Sequence, residues 1–169
     1  QAENSGIVGL AHGILEGKAS TPPPIDHPSA LDPRHDVHFV RANTPEDCVK
    51  AITLLCREVL PKKFSVDVRT QVQVLAPLHR GIGGIGNLND QIRDAINPTG
   101  ATQVMGPFLF REGDKVIQTR NNYDKDVFNG DMGIVDAVDT LNGKVEIVFD
   151  DRRIVYERME VTDLQPAYA

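Results

Sequence analysis

The sequence has no tryptophan and an aromatic share of only 5 %, which argues against a nucleic-acid platform built on repeated stacking. No apolar run approaches the roughly 18 residues of a membrane-spanning helix, so no membrane partner is expected. No basic-then-apolar leader is visible either. Cysteine is scarce: Cys48 and Cys56 fall on one expected helix, too far apart along its axis to bond. That points to free thiols in a reducing, cytoplasmic compartment. Positive charge is not in excess. The net charge is −6, with ten Lys/Arg against eleven Asp/Glu in residues 1–107 and eight against thirteen in 108–169. Neither part suits an autonomous polyphosphate binder, whose affinity comes from Lys and Arg neutralising phosphates. The one locally basic stretch runs from Lys62 to Arg80.

Catalytic signatures are missing as well. There is no G-x-x-x-x-G-K-[ST] to cradle phosphates, no H-E-x-x-H or C-x-x-C to hold zinc, and no G-x-S-x-G elbow to present a nucleophile. As a free-standing enzyme the chain is incomplete. What is present, 40 % apolar and 25 % charged residues, is the composition of a folded globular protein.

Periodicity divides the sequence into two grammars. Asn4–Lys18 has the apolar spacing of a helix, weakened by three glycines, with Asn4 or Ser5 as cap. Ala19–Asp36 contains five prolines and is expected to be an extended surface connection. Val37–Arg41 alternates like a strand. Thr44-Pro45-Glu46-Asp47 then starts a helix that runs to about Val59 and is expected to stop at Pro61. Thr70–Leu75 is expected to be a strand, and Asn87 to cap a helix over 88–96 that Asn97-Pro98 ends. Helix, strand, helix, strand, helix implies an α/β layer with parallel strands. After Gly106-Pro107 come four short β segments, 114–120, 132–138, 144–149 and 153–156. They are separated by Asn129-Gly130, Asn142-Gly143 and Asp150-Asp151, the turn chemistry of a small barrel or sandwich. The fold class is therefore α/β plus a small all-β part.

Three motifs bear on function. Gly81–Gly86 satisfies G-x-G-x-x-G, but the acid expected about 20 residues later is missing and no βαβ unit follows. A flexible loop at a sheet edge fits better than a dinucleotide fingerprint. His35 and His38 lack a third or fourth ligand, so a strand edge suits them better than a metal site. His79 and Arg80, just before the glycines, are compatible with phosphate contact or with a solvated loop. The amide-rich stretch from Gln118 to Gly133 is compatible with turn chemistry or with nucleic-acid contact.

VLAPLHRGIGGIGNLNDQIRDAINP, then REGDKVIQTRNNYDKDVFNGDMGIV, then LQPAYA resemble the RecD/TraA family of superfamily-one ATP-dependent DNA helicases over about residues 71–169. Residues 1–18 resemble, more weakly, the segment after that family's motif IV arginine. The resemblance implies that residues 1–107 are part of a second RecA-like (P-loop NTPase-like) motor domain, with 19–36 as a Pro-rich connection. It implies a Src-homology-3-like β-barrel inserted at 108–166, and a return to the motor domain at 167–169, just before motif V. Gln1 would lie at the edge of the ATP cleft. His79, Arg80, Asn121, Asn122 and Tyr123 would be DNA-binding candidates, and Asn129, Gly130 and Gly133 structural turn residues. The parent would be a 5′→3′ helicase of recombination or repair using ATP and Mg²⁺ on single-stranded DNA: the alpha subunit of exodeoxyribonuclease V with its other subunits, a stand-alone RecD-like helicase, or the helicase part of a conjugative relaxase. This chain would bind neither cofactor nor metal and would be inactive alone. A non-catalytic β-barrel interaction module is the reading from a different class.

Overall fold

The computed structural model describes residues 5–18, 20–105 and 108–169. Gln1 and Asn4, assigned above to the cleft edge and a helix cap, lie outside the described residues. The chain forms two compact units that divide between Val66 and Asp67.

In the first unit, helix α1 (Gly6–Leu15) begins at Ser5, and a distant carboxylate serves its N-terminus. Asp36 accepts from the Ser5 hydroxyl at 2.6 Å and from the Gly6 amide at 3.1 Å, satisfying donors that a helix start leaves open. These bonds, the Ser5 one foremost, hold the Asp36 carboxyl below its ordinary range. The described part of the proline-rich connection is extended apart from a 3₁₀ turn at Pro28–Ala30 and a turn closed by the His35 amide on the Asp32 carbonyl. It is not all surface, since Pro28 and Leu31 are buried. Strand β1 (Pro24–Ile25) lies parallel to β2 (Phe39–Val40). Helix α2 (Pro45–Leu54) starts as its sequence dictates, with Thr44 Oγ1 accepting from the Asp47 amide at 3.1 Å. It does not end at Pro61. A π-helical extension, Leu55–Phe64, carries Pro61 inside it and stops at Ser65, which has φ 54°. The wider i→i+5 turn moves the proline ring off the carbonyl it would strike in an α-helix, leaving one missing donor as the main cost.

The second unit departs from the expected parallel layer. Residues 70–75 are not a strand: a single turn, α3 (Val68–Gln71), is capped by Asp67, and extended chain follows. That extended chain makes one backbone bond outward, from the Val74 amide to the Tyr168 carbonyl at 3.1 Å. Alternating residues form a parallel strand only where neighbouring strands receive their backbone groups, and among the described residues the only parallel pair is β1–β2. Helix α4 (Ile85–Ile96) is capped by Gly84, not Asn87, whose Nδ2 donates back to the Ile82 carbonyl at 2.6 Å. An unanticipated hairpin, β3 (Thr102–Met105) with β4 (Phe108–Arg111), spans Gly106-Pro107, which lie outside the described residues.

The β-rich segment follows its sequence pattern. Strands β5 (Lys115–Gln118), β6 (Met132–Asp139), β7 (Lys144–Phe149) and β8 (Arg152–Glu157) match the four expected segments closely. A short β9 (Leu164–Pro166) completes an antiparallel sheet in the order β8-β7-β6-β5-β9. Strand β7 alternates half-buried and buried positions along KVEIVF, as a one-sided sheet requires. Its inner face joins Phe110, Val116, Val127, Val135, Tyr156, Val161 and Leu164 in one core.

Gly133 shows how closely that core is packed. A Cβ there would stand 2.6 Å from Ile147 Cγ2 and 2.8 Å from the Val148 carbonyl. We expect Gly133→Ala to destabilise the protein by about 1–3 kcal/mol. Gly143→Ala meets no atom within 4 Å and strains only a residue at φ 63°, so it should cost about 1 kcal/mol. Thermal denaturation of both variants checks the ranking. An unchanged midpoint for Gly133→Ala would show that β6 and β7 are not held at this spacing.

Candidate nucleic-acid interface

Leu78–Gly86 folds back onto the start of α4. The Ile85 amide donates to the Leu78 carbonyl at 2.9 Å, and the Gly84 amide to the Gly81 carbonyl at 3.1 Å. Gly84 is buried, and a Cβ on it would sit 2.6 Å from the Arg80 carbonyl carbon. Only glycine permits this approach, and the resulting tight turn displays His79 and Arg80 to solvent. Both are exposed, and neither side chain forms an ion pair or hydrogen bond among the described residues. His79 also borders a cavity of about 560 Å³ with Asn89, Asp90, Arg93, Leu109 and Gln165. Arg93 is itself buried, donating to Asp90 at 2.8 Å and to the Leu109 carbonyl at 3.3 Å. The glycine-rich motif thus works as a turn that shapes a helix start.

The second element is the loop between β5 and β6. Gln118 closes its root: its amide donates to the Asp131 carbonyl at 2.8 Å, and its carbonyl accepts from Gly130 at 2.9 Å. The Gln118 side chain is fully buried and accepts from the Tyr156 hydroxyl at 2.9 Å. Inside the loop, Asn122 and Val127 exchange two backbone bonds, and Val127 enters the core with no exposed surface. The amides order the turn. Asn121 Oδ1 accepts from the Asn129 amide at 2.9 Å, and Asn122 Oδ1 accepts from the Lys125 amide at 3.1 Å. Gly130 has φ 99°, and Gly133 lies against β7. What this leaves outward is Tyr123, 77 % exposed, edge-on to Phe128 with ring centroids 6.1 Å apart.

A buried polar node supports both elements, and sequence reasoning missed it. Asp114, 2 % exposed, accepts from Asn97 Nδ2 at 2.9 Å, the Tyr168 hydroxyl at 3.2 Å and the Arg111 amide at 3.1 Å. Burial pushes its carboxyl above the ordinary range, against the pull of these donors. The neighbouring Lys115, also buried, donates through Nζ to the Val72 carbonyl at 3.0 Å and to Gln73 Oε1 at 2.9 Å, and burial lowers its pKa. Asn89 and Ala169 bond each other's backbone and side chain, at 2.9 and 3.3 Å. The only forewarning in the sequence was an Asp-Lys pair at a strand start, a pattern more common on surfaces.

Residues 88–149 match the family described as the ATP-dependent RecD-like DNA helicase SH3 domain. Over all 169 residues the chain is 28 % identical to the ATP-dependent RecD2 DNA helicase of Deinococcus radiodurans, of which it spans 21 %. The chain is thus similar to RecD-like helicases and spans about a fifth of the length of this relative. Among solved structures it overlaps Bacteroides sp Pif1 in complex with ADP-AlF4 with a TM-score of 0.33 at 14 % identity, covering 72 % of this chain and 33 % of that one. For unliganded Pif1 from the same source the values are 0.32, 15 %, 72 % and 34 %. Overlap at this level defines no shared fold. No helix among the described residues is long and apolar enough to cross a membrane.

The node yields a direct expectation. Asp114→Ala would leave the Asn97, Tyr168 and Arg111 donors facing a dry gap. It should cost about 3 kcal/mol in urea unfolding. A cost below about 1 kcal/mol would mean that water or rearranged neighbours satisfy these groups.

Proposed function

We propose that this chain is part of the second RecA-like motor domain of an ATP-dependent 5′→3′ DNA helicase, with the SH3-like barrel inserted into it, and that it supplies contacts to single-stranded DNA. The match of 88–149 to the RecD-like SH3 domain, within similarity running the length of the chain, carries this reading. Arg80 and His79 would approach the phosphates, because an exposed, unpaired guanidinium forks onto phosphate oxygens without first breaking a salt bridge. Tyr123, with Phe128 behind it, would offer a face to an unstacked base. Asn121 and Asn122 would contribute by ordering that loop.

ATP and Mg²⁺ are expected to be held by segments other than this one. The sequence contains no phosphate-cradling loop, and no group of three His, Cys, Asp or Glu capable of holding a metal occurs among the described residues. This chain should release no phosphate from ATP by itself. In the parent, nucleotide would be held by other segments, and closure of one motor domain against the other would drive stepping.

With a net charge of −6, the isolated chain should bind single-stranded DNA only in the ~10⁻⁴–10⁻⁶ M range of non-specific electrostatic contact. Arg80→Ala should lower the slope of log affinity against log salt by about one phosphate contact. In a full-length parent it should reduce DNA-stimulated ATPase more than the DNA-free rate. An unchanged slope, with both rates reduced equally, would make Arg80 a structural loop residue.

A further inference from the structure

Lys125 occupies an unusual position for a loop lysine. Its Nζ donates to the Val155 carbonyl at 2.7 Å, pairs with Glu160 Oε1 at 3.1 Å, and stands 5.3 Å from the centre of the Tyr156 ring. The side chain is only 21 % exposed. These partners lie on two elements remote in sequence: strand β8 and the segment leading into the 3₁₀ turn Val161–Asp163. Beside it, Arg152 reaches from β8 to Asp126, donating to its carboxylate at 2.8 Å and to its carbonyl at 2.7 Å. The loop between β5 and β6 is thereby fastened across the sheet to its far edge strand. Val155 is half exposed and its carbonyl would otherwise face solvent, so Lys125 also covers a piece of open strand edge.

The fastening point falls between the two outward aromatics. Tyr123 and Phe128 flank Lys125, and their edge-to-face contact requires the turn between them to stay folded. Inside the loop the turn is held by the Asn122–Val127 pair, whose Val127 end is buried in the core, and by the Asn122 side chain; the tip, Tyr123–Asp126, is exposed or half-exposed. An exposed turn of this kind opens readily unless something long-range anchors it. Val127 fixes the end of the turn in the core, and Lys125 and Arg152 tie down its tip, Lys125 from inside the turn and Arg152 through Asp126.

We infer that Lys125 is a positioning residue, a clamp that holds Tyr123 and Phe128 in the geometry that receives an unstacked base, while its own charge stays engaged with Glu160, Val155 and the Tyr156 ring. The inference rests on the proposed nucleic-acid reading of this loop. It differs from a phosphate-contact role in a measurable way. A lysine that neutralised a phosphate would contribute to the salt dependence of binding; a clamp contributes none.

The test compares the full chain with Tyr123→Ala, Lys125→Met, Lys125→Arg and the Tyr123→Ala/Lys125→Met double variant. Binding of a fluorescently labelled oligo-dT is followed at several low salt concentrations, alongside amide hydrogen exchange over 121–130. Tyr123→Ala is expected to weaken binding about tenfold. Lys125→Met should weaken it by a similar factor with the salt slope unchanged, and speed exchange over 121–130. The double variant should bind within about twofold of either single one, the signature of two residues acting through one contact. Lys125→Arg, which keeps the charge and the reach, should restore slow exchange and most of the affinity. A slope lowered by one in Lys125→Met with exchange unaltered would overturn the inference in favour of direct phosphate contact. A lowered melting temperature with exchange and affinity unmoved would also overturn it, reducing Lys125 to barrel stability. If Tyr123→Ala binds as tightly as the unsubstituted chain, the nucleic-acid reading of the loop is what fails, and the exchange data alone then decide the clamp.

Discussion

The carboxylate of Asp114 is the point around which the second unit is assembled. It takes donors from the end of α4, from the turn before β5 and from Tyr168, and so joins three segments. Each donor is buried or half-buried, so each would be costly to leave unmet. Lys115 extends the arrangement to Val72 and Gln73, fixing the chain that leads to the exposed Arg80 turn. A sheet and a helix of opposite sequence grammar are thus held by polar bonds in a dry setting, where geometry is restrictive. An apolar seam would have allowed the two to slide.

Around this node the molecule separates rigid support from exposed chemistry. The core packs against one face of the sheet β5 to β8, and Val127 anchors the long loop into it. Gln118 and Tyr156 pin the root of the loop by a buried side-chain bond. On the outside remain a guanidinium with no partner among the described residues and an aromatic ring more than three-quarters exposed. Net negative charge limits such a segment to weak binding of polyanions on its own. Selective contact with DNA would then depend on these few groups acting within a larger motor.

Legibility in the sequence followed the range of the interactions. Strands β5 to β8 were readable because alternation and hairpin chemistry are local: Asp139 accepts from the Leu141 and Asn142 amides at 3.1 and 3.0 Å, closing the Asn142-Gly143 turn as expected. The start of α2 at Thr44 was equally local. Thr70–Leu75 was misjudged because alternation reports propensity, whereas a ladder requires a neighbour. Pro61 was misjudged because a π-helical register changes what a proline obstructs. The β3–β4 pairing is not legible because Gly106-Pro107 reads as a boundary between segments. Among the site residues, His79, Arg80 and Tyr123 could be singled out by type and setting. Asp114, Lys115 and Lys125 could not, since charged residues in sequence look alike whether a fold buries them or leaves them in water.

The central claim is that two separate places, the Arg80 turn and the clamped Tyr123 loop, face nucleic acid while the rest of the barrel does not. Backbone amide chemical-shift mapping of this chain, titrated with a short oligo-dT at low salt, tests it most directly. The expected result is a set of shifts concentrated at 78–82 and 121–129, with the β6–β7 hairpin at 139–143 unmoved. Shifts centred on that hairpin, or absent from both expected places, would contradict the account.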